Sequence, residues 1–417
     1  MDKIIVRGGR RLAGEVTISG AKNAALPIMA ATLLAPGRFR LTNVPSLRDV
    51  RTMGNVLRVL GAQVEHEDHS LAIDTSNCNH SEAPYELVKT MRASVCVLGP
   101  LVARRGHARV SLPGGCAWGP RPVDFHIRAM KDLGADVKLD HGYIDARADR
   151  LVGSTIHFDR PSVGATENAL MAASLADGTT VIRNAAREPE IGALADFLRA
   201  MGASVDGDGS DTITVEGVRE LAPADHAIIP DRIEAGTFMV AVAITGGDVL
   251  LRGAEPEHCS QVMVKLGEAG VRIDEVDGGL RVRGPSRPVA VNVTTAPYPG
   301  FATDMQAQMM ALMTVSDGTS VITDTIYTDR FAHVAELRRL GADITLDGNV
   351  AVVSGVPSLQ GAKVMATDLR ASAALILAGL VSENTTEVSR VYHIDRGYEA
   401  IEEKLAGLGA GIERVRE

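Results

Sequence analysis

The stretch Val50-Arg51-Thr52-Met53-Gly54-Asn55-Val56-Leu57-Arg58-Val59-Leu60-Gly61-Ala62-Gln63-Val64-Glu65-His66 is the unit from which the fold is read. Val50, Met53, Leu57 and Leu60 recur at helical spacing and predict an amphipathic helix. Gly61 follows as the expected terminator, in the left-handed conformation that penalises any residue with a Cβ. Val64-Glu65-His66 and Ile73-Asp74 then read as short strands. The signature returns at Leu133-Gly134-Ala135, Met201-Gly202-Ala203, Leu340-Gly341-Ala342 and Leu408-Gly409-Ala410, with a weaker copy at Ala269-Gly270-Val271. These glycines stand about 70 residues apart, which predicts six copies of one small αβ unit.

Each copy carries a second helix of another kind. The segments are Ala24–Ala31, Ala93–Leu98 and Ala169–Ala173 in the first half. In the second half they begin near Gly236, Met305 and Ala371. All are rich in Ala and Met and apolar on nearly every side, so they predict buried helices at the centre of each domain. The halves divide near His226-Ala227-Ile228-Ile229-Pro230-Asp231. The leading strand Lys3–Val6 precedes the first copy and is free to pair with the last half. The expected organisation is one domain over residues 22–229 and a second over 1–21 with 230–417. A ligand in the cleft would touch both domains, and closure would exclude water.

The N-termini of the six buried helices are the informative places. They lie at Ser19-Gly20-Ala21-Lys22-Asn23, Thr90-Met91-Arg92, Ser162-Val163-Gly164, Asp231-Arg232, Thr303-Asp304-Met305-Gln306 and Thr367-Asp368-Leu369-Arg370. Thr303 to Gln306 fits a capping box. Free N–H groups at such ends suit phosphate or carboxylate. Lys22, Arg92, Arg121, Arg330, Arg370 and Arg396 are the cations expected around a polyanionic ligand. A lone arginine is more often a solvated or salt-bridged side chain, but recurrence at equivalent places in a repeat weakens that reading.

One loop stands outside the repeat pattern: Leu112-Pro113-Gly114-Gly115-Cys116-Ala117-Trp118-Gly119-Pro120-Arg121-Pro122-Val123-Asp124. Its Gly and Pro content predicts an exposed, jointed loop. A thiol beside fixed cations has a lowered pKa and serves as an acid or nucleophile near neutral pH.

Composition narrows the function. Aromatics are 3% of the 417 residues and the net charge is −9, which argues against a nucleic-acid stacking platform and a large phosphate-backbone footprint. The four cysteines, Cys78, Cys96, Cys116 and Cys259, form no CxxC and no metal-like spacing with His, and read as reduced thiols of a cytoplasmic protein. No apolar run is long enough to span a bilayer, and the N-terminus has no signal-peptide core. There is no GxxxxGK[ST], GxGxxG after a strand, HExxH or GxSxG, so nothing points to nucleotide hydrolysis, NAD, zinc or a serine hydrolase.

The Cys116 loop with Arg121-Pro122-Val123-Asp124 resembles the enolpyruvyl transferase family, in the form whose acceptor is UDP-N-acetylglucosamine. The similarity also covers Ser19–Ala24, Leu87–Ser94, Ser162–Thr166, Thr303–Gln308, Met365–Arg370 and Tyr392–Tyr398, and so runs through essentially the whole chain. It implies a two-domain inside-out α/β barrel of the EPSP-synthase type, with three repeats and buried helices per domain. It also implies the reaction: phosphoenolpyruvate gives its enolpyruvyl group to the sugar 3-hydroxyl, and phosphate leaves. No metal or cofactor is implied, nor any nucleic-acid or membrane partner. The oligomeric state is left open.

The resemblance assigns residues as well. Cys116 matches the loop cysteine that donates a proton, adds to phosphoenolpyruvate and is alkylated by fosfomycin. Lys22 and Asn23 match phosphoenolpyruvate positions. Arg121, Arg330, Arg370 and Arg396 match the phosphate and carboxylate clamp. Arg92, then Arg121, Pro122, Val123, Asp124 and Phe125, then Arg160, Pro161, Ser162 and Val163 match the sugar-nucleotide contacts, as does Ile326. Asp304 matches the residue beside the accepting hydroxyl, with the catalytic set being Cys116, Asp304, Lys22 and Arg396. Arg160 replaces an expected lysine, and Trp118 an expected aliphatic residue. The shikimate-pathway transferase and a non-catalytic sugar-nucleotide sensor are the alternatives.

Overall fold

The computed structural model describes residues 2–89, 91–112 and 123–416, with the backbone alone at Arg92. The chain forms two compact units, Gly20–Ile229 and Met1–Ser19 with Pro230–Glu417. The sequence places the first crossing after residue 21; the structure places it after Ser19. The reason is backbone pairing. The Ala21 N–H donates to the Ile229 carbonyl at 2.7 Å within one unit, and the Asp231 N–H donates to the Ser19 carbonyl at 2.8 Å within the other. Gly20 lies so close to Asn43 that a Cβ would stand 1.8 Å from its carbonyl oxygen, which fixes Gly20 with the Gly20–Ile229 unit.

That unit holds three four-stranded sheets of one pattern. A short edge strand runs parallel to its neighbour, and antiparallel strands complete the sheet. The parallel pairs are His226–Ala227 with Arg38–Thr42, Glu82–Ala83 with His107–Ser111, and Thr155–His157 with Thr179–Arg183. The edge of the first sheet thus comes from the end of the unit, which closes the set of three.

The other unit repeats the plan. Ala13–Thr17 pairs with Asp248–Arg252, Val293–Thr294 with Thr319–Thr323, and Lys363–Met365 with Thr385–Ser389. Lys3–Arg7 lies antiparallel between Thr385–Ser389 and Gly411–Val415, so the leading strand does pair with the last half. Residues alternate between core and solvent as a half-buried strand requires: in Asp248–Arg252, Val249 and Leu251 are buried.

The repeat is legible in the backbone. Gly61, Gly134, Gly202, Gly270, Gly341 and Gly409 all have φ between +89° and +104°. At Gly61 the space is also closed, since a Cβ would meet the Asn77 carbonyl oxygen at 2.9 Å. The helix before it, Arg48–Val59, buries Val50, Met53, Val56 and Leu57.

Five of the expected buried helices are regular: Lys22–Ala31, Val163–Ala173, Arg232–Thr245, Gln306–Met313 and Leu369–Gly379. Past the first turn they are buried on all sides. The remaining copy departs from expectation. Arg92–Val97 is a 3₁₀ turn, and the α-helix runs over Leu98–Arg105. The cause is Asn168. Its Oδ1 accepts from the Gly99 N–H at 2.8 Å and its Nδ2 donates to the Val95 carbonyl at 3.0 Å. Those two backbone groups are the i→i−4 pair of a continuous α-helix, so a side-chain amide inserted between them breaks the ladder.

Candidate active site

In the unit containing the C-terminal half, three sequence-assigned residues meet at the ends of two buried helices. Asp304 sits in the 3₁₀ turn Thr303–Met305 before the helix Gln306–Met313. Its Oδ1 accepts from Arg330 Nη1 at 2.7 Å and its Oδ2 from Arg370 Nη2 at 2.9 Å. The two guanidinium groups outweigh burial and hold the Asp304 carboxyl far below the usual carboxylate range. Burial works against the cation at Arg370, but Asp304 raises its pKa well above the ordinary arginine value.

Arg370 is 2% exposed, and its Nε and Nη1 are buried with no hydrogen-bond partner among the described residues. A buried guanidinium with donors to spare can take the oxygens of an anion, which would offset the cost of leaving those donors unpaired.

The expected capping box is not formed. Thr303 Oγ1 donates to Asp324 Oδ2 at 2.7 Å and accepts from Arg330 Nη1 at 3.2 Å. The Gln306 amide is fully buried without a partner among the described residues, so it does not reach back to the helix start. Asp324, which the sequence reading missed, orders this corner. Its Oδ1 accepts from Thr295 Oγ1 at 2.8 Å and from the N–H groups of Ile326 and Tyr327 at 2.9 Å. One buried carboxylate therefore shapes the loop carrying Ile326 and, through Thr303, steadies Arg330.

Two further helix ends in this unit are not open anion sites as expected. Asp231 accepts from the Ile233 and Glu234 N–H groups, and Asp368 from those of Arg370 and Ala371. Each helix start is satisfied by its own carboxylate. Arg396 closes the 3₁₀ turn Val391–Arg396, close enough to His393 to help lower that imidazole's pKa, where burial is the main cause.

In the unit Gly20–Ile229, Lys22 begins a helix whose start has no side-chain cap. Its Nζ lies 3.3 Å from Asp49 Oδ2, with Lys22 and Asp49 side chains 12% and 5% exposed. Asn23 is exposed beside it. Asp124 and Phe125 open the helix Asp124–Asp132, with Val123 just before it. The Phe125 ring lies 5.9 Å from the Arg160 guanidinium and 5.7 Å from the Phe158 ring. Arg160 and Pro161 lead into Ser162 and Val163 at an uncapped helix start. The sugar-nucleotide candidates Phe125 and Arg160 thus stand together.

Behind them, Asn168 Nδ2 donates to His126 Nδ1 at 2.7 Å. The Asn168 amide orientation is fixed by Gly99 and Val95, so His126 accepts at Nδ1 and keeps its proton on Nε2. His126 was also missed, as was Asp49. Cys116, Arg121 and Pro122, and the Arg92 side chain, lie outside the described residues.

The sequence model of the family described as EPSP synthase (3-phosphoshikimate 1-carboxyvinyltransferase) matches residues 6–405. Among solved structures, the enolpyruvyl transferase NikO from Streptomyces tendae superposes with a TM-score of 0.90 at 27% identity, covering 99% of both chains. An EPSP synthase from Acinetobacter baumannii shares the fold with a TM-score of 0.77 at 18% identity, over 100% of both chains. The chain belongs to this enolpyruvyl transferase family and has its two-domain inside-out barrel fold. Two relatives narrow the branch. The UDP-N-acetylglucosamine 1-carboxyvinyltransferases of Geobacter metallireducens and Trichlorobacter lovleyi are 60% and 59% identical to it, each over 100% of both chains. The chain is a member of that branch.

Proposed function

We propose that the chain transfers the enolpyruvyl group of phosphoenolpyruvate to the 3-hydroxyl of UDP-N-acetylglucosamine and releases phosphate, the first committed step of peptidoglycan synthesis. Full-length identity of 60% to a relative named for this activity supports the reading. The single structural observation that carries it is Arg370: a buried guanidinium with two nitrogens that have no partner among the described residues, beside Asp304 and Arg330.

The chemistry fits the residue types. Protonation at C3 of the enol builds positive charge at C2, and the acid assigned is the Cys116 thiol. The sugar hydroxyl attacks C2, giving up its proton toward Asp304. While paired to two arginines, Asp304 is a weak base. A phosphate or carboxylate engaging Arg370 competes for that guanidinium and raises the basicity of Asp304 as substrate arrives. The tetrahedral phosphate ketal then collapses, with Arg330, Arg370 and Arg396 assigned to the leaving oxygens. Lys22 and Asn23 are assigned to phosphoenolpyruvate. Phe125, Arg160 and the Ser162–Val163 helix start are assigned to the sugar nucleotide, with Arg92, Arg121, Pro122, Val123, Asp124 and Ile326.

Among the described residues no helix is long and apolar enough to cross a membrane. Cys78, Cys96 and Cys259 are buried free thiols, which suits a reducing cytoplasm. The test is Arg370→Lys, which keeps charge but loses the planar donors. It should raise the KM for phosphoenolpyruvate at least about tenfold while leaving UDP-sugar affinity within about threefold. Unchanged phosphoenolpyruvate kinetics would remove Arg370 from the site.

A further inference from the structure

We propose that Tyr398 is a positioning residue for this reaction: its ring seats the Arg370 guanidinium, and its hydroxyl ties that seat to Thr237 and, through Gln308, to the backbone of Asp304. The proposal rests on the reading of Arg370 as an anion-binding residue and deepens it.

Tyr398 is 2% exposed, and its ring centre lies 5.3 Å from the Arg370 guanidinium carbon. Among the described residues, the one well-formed hydrogen bond of the Arg370 guanidinium is to Asp304 through Nη2, and the Tyr398 hydroxyl also lies near enough to interact with it. A guanidinium held at one nitrogen is free to turn about that contact, and an aromatic face beside it restricts its plane. The ring is held by its hydroxyl. Tyr398 Oη lies 2.8 Å from Thr237 Oγ1 and 3.1 Å from Gln308 Nε2. Thr237 Oγ1 donates to the Ile233 carbonyl at 2.7 Å, so it must accept from Tyr398. Gln308 Nε2 then places one N–H on the Asp304 carbonyl at 2.9 Å and shares the other between Tyr398 Oη and Thr237 Oγ1, both at 3.1 Å. Gln308, Tyr398 and Thr237 thus form one closed cluster, anchored on the Asp304 carbonyl at one end and the Ile233 carbonyl at the other.

The cluster joins all three repeats of this unit. Thr237 lies on the helix Arg232–Thr245, Gln308 on Gln306–Met313, and Arg370 on Leu369–Gly379. Gln308 is a polar residue within a helix buried on every side, a placement that needs a reason. A network that only filled the core would not reach the Asp304 backbone with one arm and the Arg370 face with the other.

The experiment is a double-mutant cycle between Tyr398 and Arg370, read by steady-state kinetics with phosphoenolpyruvate and UDP-N-acetylglucosamine varied separately. Tyr398→Phe keeps the ring and should lower kcat/KM for phosphoenolpyruvate about tenfold, with the KM for the sugar nucleotide within about twofold. Tyr398→Leu should cost about a further tenfold. In an Arg370→Lys background, Tyr398→Phe should change kcat/KM by less than about twofold, because the guanidinium it orients is gone. Multiplicative effects in the double variant, or equal losses for both substrates, would overturn the proposal while leaving Arg370 in the site. Arg370→Lys without effect on phosphoenolpyruvate would instead overturn the reading beneath it and the proposal together. Should Tyr398 variants not fold, Thr237→Val carries the same test, with Thr237→Ser expected to restore the wild-type rate.

Discussion

Replacing Asp304 by asparagine isolates what its charge contributes to the folded unit. The substitution keeps shape but removes the charge between Arg330 and Arg370, which approach at 2.7 and 2.9 Å. Arg370 and Arg330 side chains are 3% and 12% exposed, so neither cation is well solvated once orphaned. Removing one member of a buried pair costs roughly 3–5 kcal/mol. Asp304 itself is 29% exposed, which places the expected loss near the lower end, about 3 kcal/mol. In a unit of this size that lowers the melting temperature by about 6–12 °C. Calorimetry of the whole chain in phosphate-free buffer at pH 7 measures it. Because the lost charge is the one that an anionic ligand supplies, phosphoenolpyruvate should stabilise Asp304→Asn by more degrees than it stabilises the wild type. The sign with pH follows from the lowered carboxyl. In the wild type the pair stabilises fully above the unfolded carboxyl value of about 4 and weakens only as pH falls below it. A melting temperature within about 2 °C of wild type, or equal ligand shifts in both proteins, would show that the Asp304 charge does not hold this corner together.

Other outcomes follow from the same structure. Burial lowers the His333 imidazole to about 4, so folding disfavours its protonation, and stability is lost as pH falls from the unfolded value of about 6.5 toward 4. Between pH 7 and 5 the wild type should lose about 2 kcal/mol that His333→Gln does not lose, measured by urea unfolding at each pH; parallel profiles would contradict this. Gly99→Ala would put a Cβ 2.5 Å from the Asn168 carbonyl oxygen, and should cost about 2–3 kcal/mol in the same assay; an unchanged midpoint would show that the contact yields freely. With Cys78, Cys96 and Cys259 buried, and Cys78 raised in pKa by burial, fosfomycin or iodoacetamide should modify Cys116 alone in the folded protein. Peptide mapping that finds the adduct on another cysteine would contradict the assignment.

The sixfold repeat was readable because its terminator is a backbone requirement: a left-handed position selects glycine wherever it occurs, and so Gly61 and its five counterparts mark the unit. The buried helices were readable because Ala and Met leave no polar face. Polar groups that act through tertiary contact were not. Asn168 replaces a peptide pair in a helix distant in sequence, and Asp324 caps a loop and a threonine 21 residues away. A sequence shows that such a residue sits in an apolar run, which is a usable signal for Asn168 and Gln308, but not which backbone it meets. The capping box at Thr303 failed for the same reason, since Asp324 and Arg330 outcompete the helix for its hydroxyl. The charges at Asp231 and Asp368 were visible, yet their side chains close the helix ends that the pattern left open.

Phosphate release from phosphoenolpyruvate, measured with UDP-N-acetylglucosamine or shikimate 3-phosphate as acceptor, decides between the two transferase activities and the sensor. Release that depends on the UDP-sugar, and is absent with shikimate 3-phosphate, is the expected result. Release with shikimate 3-phosphate would keep the anion site and overturn the acceptor. Release with neither, by folded protein that still binds the UDP-sugar, would contradict the transferase reading and leave a sugar-nucleotide sensor.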